Sequence, residues 1–261
     1  MGLVVFANKW TGAGAVAELT CRALRRAGVD ARLLFVGGRN LERRLEGNEW
    51  AYPYLSKDRT AAKLADNLRA VKRLADESEI VICYLPHDHF LCVATGVHRS
   101  VPLVRAFRHP RSLRRDPYHG CLNRRISGAL FAYSALERDL PRAFSGVPVA
   151  SLPVPLEDRF RPGNGSEWRD RLGISRHAPV IGSVGKLASG RGFGLMLDAV
   201  SMVSSAAHII IVGHGELRAR LEEQARHLGL ADRIGWAGYQ DEALPDLYAA
   251  MDVVFFCAPG S

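Results

Sequence analysis

Residues 182–193 read GSVGKLASGRGF, a glycine-rich turn between the apolar run VIGSV (180–184) and an apolar helix expected over 192–203. The turn sets Lys186 and Arg191 five positions apart. A helix N-terminus exposes unpaired backbone N–H groups and carries partial positive charge, so it stabilises an anion even without side chains. Two cations added there suit a diphosphate, each through charge-assisted hydrogen bonds. Two further strand-to-helix turns follow. In VGHGELR, after HIIIVG (208–213), Gly213 and Gly215 permit close backbone approach; in WAGYQDEALPDLY, after IGWAG (234–238), Gly238 sits where a planar base could pack on the backbone. Open parallel sheets bind ligands along their carboxyl edge, and three such turns in succession define one.

The same alternation of short apolar strands and helical segments runs through the whole chain, the pattern of βαβ units and a parallel sheet. Upstream strands are expected at LVVFA (3–7), ARLLFV (31–36), IVICYL (80–85), PLVRAF (102–107), ALFA (129–132) and VPVASL (147–152). The first helix has Val16, Leu19, Ala23, Leu24 and Ala27 as its apolar stripe, closed by Gly28. Downstream, helices are expected over 192–203, 216–228 and 242–250, the middle one with a stripe of Leu217, Leu221, Ala225 and Leu228, and a last strand at DVVFF (252–256). The Pro/Gly-rich segment LPVPLEDRFRPGNGSEW (152–168) reads as a linker, which divides the chain into domains 1–160 and 161–261.

The 261 residues suffice for two small domains. No apolar run reaches the roughly 18 residues of a membrane span, and the amino terminus has no basic region of a signal peptide. Five scattered cysteines without a C-x-x-C pair read as reduced, buried small hydrophobes and give no zinc site. His87 and His89, in PHDHF, lack a carboxylate partner that would make them metal ligands, so no metal is expected. The net charge is +8, and its distribution is uneven: Lys and Arg outnumber Asp and Glu by 26 to 16 up to Gly163, against 9 to 11 beyond it. Ten arginines fall between Arg99 and Arg142. Such a field favours a phosphorylated acceptor, an acidic membrane face or nucleic acid.

The order VGKLASGRGFGLMLDAV, then IIIVGHGELRARLEEQARHLGLADRIGWAGY, then LPDLYAAMDVVFFCAPGS resembles the carboxyl-terminal domain of the GT-B glycosyltransferases, specifically the retaining family 4 group. The first half resembles the acceptor domain more loosely, through TGAGAV after the first strand, VPLVRAFRH and FAYSALERDL. The resemblance implies two Rossmann-like, doubly wound α/β domains, the second incomplete because the family's glutamate pair would fall beyond Ser261. It further implies a retaining, metal-independent transfer from a nucleotide-diphosphate sugar to a glycan or lipid-linked acceptor. No cofactor, no nucleic acid, a cytoplasmic location and an association with the inner membrane face belong to the same expectation. Residue by residue, it assigns the donor diphosphate to Lys186 and Arg191, in an order exchanged relative to the family. It gives backbone approach to donor phosphate or acceptor at Gly12 and Gly14, and sets His109 near the reacting sugar. Two alternatives stay open: an NAD(P)-dependent oxidoreductase, from the G-x-G-x-x-A spacing of Gly12, Gly14 and Ala17, and a non-catalytic anion- or nucleic-acid-binding module.

Overall fold

A computed structural model describes residues 1–10, 12–108, 113, 116–132, 144, 146–203 and 206–257. The chain divides into two compact units, Met1–Glu157 and Asp158–Ser261; the sequence reading set the boundary three residues later.

The first unit runs β1 (Gly2–Val5), α1 (Ala13–Arg26), β2 (Arg32–Val36), α2 (Asn40–Leu45), β3 (Ala51–Leu55), α3 (Ala61–Asp76), β4 (Val81–Cys83), α4 (Pro86–Ala94), α5 (Val97–Ser100), β5 (Leu103–Phe107), α6 (Pro117–Asn123), β6 (Gly128–Phe131) and β7 (Val149–Ser151). Its seven strands are parallel in the order β3-β2-β1-β4-β5-β6-β7. Leu3 pairs with Leu33 on one side and Ile82 on the other. Successive residues of a strand point to opposite faces. Leu3, Val5, Leu33, Phe35 and Ile82 therefore pack with α1, while Val4, Leu34 and Cys83 pack with Val71, Leu74 and Leu91 beneath. The strand order reverses between β1 and β4, where such sheets open a crevice at the carboxyl ends.

β3 and the helices α2 to α6 were not individually expected, and two of them show why. β3 contains Pro53, which cannot donate to a ladder, and it survives because β3 is the edge strand. α3 is capped by Thr60, whose hydroxyl accepts the Lys63 N–H at 3.3 Å. The inner face of α1 also differs from the expected stripe. Val16, Ala17, Thr20 and Cys21 are buried, whereas Ala23 and Ala27 are exposed. Two polar residues disguise the true face: Thr20, and Glu18, whose carboxylate is held by Arg22 at 2.7 Å and Trp10 Nε1 at 3.2 Å.

The second unit runs α7 (Ser166–Arg171), β8 (Val180–Val184), α8 (Phe193–Ser201), β9 (His208–Val212), α9 (Arg218–His227), a 3₁₀ turn (Ala231–Arg233), β10 (Ile234–Gly238), α10 (Leu244–Ala249) and β11 (Val253–Val254). Its parallel sheet has the order β10-β9-β8-β11, again reversing beside the first strand. Ile209 and Ile211 face Met196, Leu197, Leu221 and Ala225; Ile210, Val212 and Val180 face Ile174, Leu247 and Ala250. The stripe read for the middle helix is the one that packs, with Leu217 and Leu228 at its margins. Arg169, almost fully buried, donates to the carbonyls of Ala250 (3.0 Å), Arg176 (3.0 Å) and Ala178 (2.9 Å) and to Asp252 Oδ2 (3.0 Å). The same Asp252 oxygen accepts the Val180 N–H at 2.7 Å, so this pair ties α7, α10 and the start of β8 together.

All five cysteines are free. Cys21, Cys83 and Cys92 are buried as expected, but Cys257 is only half-buried and Cys121 is exposed, because α6 turns that side outward. Among the described residues no helix is long and apolar enough to cross a membrane.

Candidate functional site

In the second unit the three glycine turns are interlocked at the carboxyl edge of the sheet. Gly185 N donates to Val212 O at 2.9 Å, Leu187 N to His214 O at 2.9 Å, Leu217 N to Leu187 O at 3.0 Å, and Gly213 N to Gly238 O at 2.7 Å. Gly213 has φ +139°, and a Cβ there would lie 1.8 Å from the Gly185 carbonyl oxygen; one at Gly215 would lie 2.2 Å from the Leu187 oxygen. These two glycines thus let one turn press on its neighbour, a structural demand that the sequence pattern does not distinguish from approach to a ligand. Gly238 has φ +67° and open space beyond it. Leu187, fully buried, anchors the turn between the two cations.

Lys186 and Arg191 are both exposed. Lys186 Nζ lies 3.8 Å from Glu216 Oε2, with both side chains largely in solvent. Arg191 stands between two left-handed glycines, Gly190 (φ +74°) and Gly192 (φ +76°), which turn the chain sharply into α8. Gly192 is the N-cap of α8, gives no side-chain cap, and the first turn of α8 carries no acid. The first intrahelical bond there is Met196 N to Gly192 O at 2.9 Å, so the preceding N–H groups have no helical acceptor. A positive helix end, uncapped and flanked by two exposed cations, can stabilise negative charge that develops on a departing group. Beside it, His214 and the exposed Tyr239 pack edge to face, centroids 5.4 Å apart; this aromatic pair after β9 and β10 was not read from the sequence, since neither residue belongs to a periodic pattern. Asp241, ahead of α10, accepts at Oδ1 from Arg159 Nη2 at 2.6 Å.

In the first unit Gly12 is the N-cap of α1, with φ +54°, no side-chain cap and no acid in the first turn. A Cβ on Gly14 would lie 2.3 Å from the Lys9 carbonyl oxygen, so Gly14 lets α1 start directly against the turn after β1. A Cβ on Gly12 would lie 3.5 Å from Arg108 Nη1, which puts a guanidinium at this helix end. His109, with much of the arginine-rich stretch and the segment FAYSALERDL beyond its first two residues, lies outside the described residues.

Two features of this edge were missed. Asp88, fully buried, accepts Phe6 N at 2.7 Å through Oδ1, and Tyr84 N (3.0 Å) and Leu85 N (2.7 Å) through Oδ2, tying the end of β1 to the start of α4. Burial raises its carboxyl pKa to about 6, against the nearby Arg105 charge and the three N–H groups, which lower it. Arg105, counted with the basic field, is only 1% exposed, donates to Cys83 O at 3.2 Å and lies over Phe107. Of the two histidines, His87 packs on Phe6 at 4.0 Å between centroids, while His89 is buried and held neutral, its pKa pushed down to about 3 by burial.

Residues 165–259 match the family model described as glycosyl transferases group 1. Over 85 residues the chain is 35% identical to the lipopolysaccharide core biosynthesis glycosyltransferase LpsE of Rhizobium meliloti, a match covering 33% of this chain and 24% of that one. Over 175 residues it is 27% identical to the 2-deoxystreptamine glucosyltransferase of Streptomyces kanamyceticus, covering 62% and 44%. The matches thus span less than half the length of either relative. The crystal structure of Anabaena Alr3699/HepE in complex with UDP and glucose superposes with a TM-score of 0.72 at 19% identity, over 97% of this chain and 72% of that one. The fold is mixed α/β with parallel, Rossmann-like sheets, as in the GT-B glycosyltransferases.

Proposed function

We propose that the chain is a glycosyltransferase that moves a sugar from a nucleotide-diphosphate sugar to a glycan or lipid-linked acceptor, with retention and without a metal. One observation carries the reading: the segment that matches the glycosyl transferases group 1 model includes the uncapped end of α8, with Lys186 and Arg191 beside it. Glycosyl transfer leaves growing negative charge on the diphosphate while the sugar gains oxocarbenium character. Cations and helix N–H groups act where that charge grows, which is the condition for acceleration rather than mere binding. In this reading Lys186 and Arg191 hold the diphosphate and the α8 N-terminus completes its shell. His214 and Tyr239 border the base near Gly238, and Gly213 and Gly215 keep the turns close enough to form the edge. The relatives support a sugar donor: one is named for lipopolysaccharide core biosynthesis, another as a glucosyltransferase, and the Anabaena protein was solved with UDP and glucose.

The acceptor side is assigned to the first unit, with backbone approach at Gly12 and Gly14 and His109 near the reacting sugar. Work on a lipid-linked acceptor at the inner membrane face, in the cytoplasm, accords with the basic balance of this half. The oxidoreductase alternative is not favoured, since β2 is followed by Gly37, Gly38 and Arg39 rather than an acid for a ribose. The test is thermal protection by a panel of UDP-, GDP- and ADP-sugars, followed by release of the free nucleoside diphosphate when acceptor extracts are added. One base is expected to protect. Protection by NADPH and by none of the sugar nucleotides would overturn the reading.

A further inference from the structure

The recess under α1 in the first unit is lined by three polar groups that have no hydrogen-bond partner among the described residues. Tyr84 and Thr20 are each only 4% exposed, and neither hydroxyl completes a hydrogen bond; the two face each other closely enough for Thr20 to act on the phenol, but not in bonding geometry. Arg108 Nε is the third such group. All three line a single recess of about 20 Å³, whose lining also includes Val16, Pro153 and Pro155. That is room for one oxygen-sized group, and an open mouth lets a larger body stand outside. Tyr84 directly follows β4 and Arg108 directly follows β5, so the recess lies at the carboxyl edge beside the reversal of strand order.

The local charge is one-sided. Arg108 is half-buried, makes no ion pair among the described residues, and stands at the uncapped, acid-free end of α1. Burial lowers its pKa, as expected for a guanidinium desolvated without a counter-ion. A half-buried cation without a counter-ion, beside two buried hydroxyls that reach no acceptor beyond each other among the described residues, is costly unless a ligand supplies acceptors.

We propose that this recess is an oxyanion site of the first unit: Arg108 and the end of α1 bind a phosphoryl group, one oxygen of which enters between the hydroxyls of Tyr84 and Thr20. Resting on the glycosyltransferase reading, the group belongs to the acceptor, which is therefore a phosphate ester whose organic part leaves through the mouth.

The test uses the whole chain carrying Lys186→Met and Arg191→Met, so that phosphate binding at the second unit is suppressed. Calorimetric titration with inorganic phosphate and with glucose 1-phosphate, and with acetate as control, is repeated after Tyr84→Phe and after Arg108→Gln. Both phosphates bind, acetate does not, Arg108→Gln weakens binding about tenfold or more, and Tyr84→Phe weakens it several-fold. Tyr84→Phe leaves melting in phosphate-free buffer unchanged or raised, which separates loss of a ligand contact from damage to the fold. Equal phosphate affinity in all three backgrounds, or no phosphate bound by folded protein so that the recess holds water alone, overturns the site. Binding of free phosphate with rejection of the ester overturns the acceptor assignment. Failure of every sugar nucleotide on the unmutated chain, with phosphate still held at Arg108, would remove the glycosyltransferase reading and leave the oxyanion site standing.

Discussion

Neutralising Lys186 and Arg191 separates the roles of charge and scaffold at the second sheet edge. Each cation would give the diphosphate a charge-assisted hydrogen bond, worth about 1.5 kcal/mol at the lower end that exposed side chains warrant. Lys186→Met and Arg191→Met should each weaken binding of the nucleoside diphosphate about tenfold, and the double variant about a hundredfold. Binding does not vanish, because the N–H groups ahead of Met196 remain. Folding should hardly notice. The Lys186–Glu216 contact is long and solvent-exposed, of the kind that contributes about 0–1 kcal/mol, and Arg191 has no partner among the described residues to lose. Calorimetry compares the diphosphate with its own nucleoside, which lacks the charge, on each variant. The nucleoside should bind all variants alike, and the melting temperature should move by no more than about 2 °C. Diphosphate affinity within twofold of wild type in the double variant, or an equal loss for the nucleoside, refutes the assignment.

Gly213→Ala forces a Cβ to within 1.8 Å of a neighbouring carbonyl oxygen and should cost about 3 kcal/mol or more by urea denaturation, with donor binding lost alongside. Arg169→Met strands three carbonyls and should cost about 2–4 kcal/mol, read the same way, whereas Asp252→Asn should cost less because its carboxylate is partly solvated. Asp88 and His89 make opposing contributions to pH dependence. The folded Asp88 pKa, about 6, exceeds its ordinary 3.8, so the native state binds the extra proton and stability falls as pH rises from about 4 to 6. The folded His89 pKa, about 3, lies below its ordinary 6.5, so the unfolded state binds the extra proton and stability rises with pH over the same window. Each slope is about 1.4 kcal/mol per pH unit, and they cancel. Denaturation at pH 4.5 and 6 should therefore show that His89→Gln uncovers the falling slope and Asp88→Asn the rising one; parallel profiles in all three proteins would contradict the burial argument.

The parallel alternation, the three edge turns and the packed stripe of α9 were legible in the sequence because each follows from periodicity and turn chemistry alone. β3 was hidden by Pro53, whose exclusion from strands fails only at an edge, and position in a sheet is a tertiary property. The α1 face was misread because Thr20 and Glu18 are polar yet buried, which a hydropathy period discounts. Arg105 and Arg108 look alike in a basic run; their separate fates, one in the core and one at a recess, depend on where β5 ends, since Arg105 is within the strand and Arg108 just past it. Glycine at 213 and 215 announced a close approach, while its partner, another backbone turn, became visible only in three dimensions.

The lattice joining the turns after β8, β9 and β10 constrains how this edge can be diversified. Main-chain bonds, two bare α-carbons and the buried Leu187 occupy its inner side, so positions 187, 213 and 215 accept no new bulk. The outward side chains at 186, 191, 214, 216 and 239 are exposed. A library confined to those five would vary what the rim recognises while leaving its frame untouched, much as interchangeable teeth fit one rigid jaw.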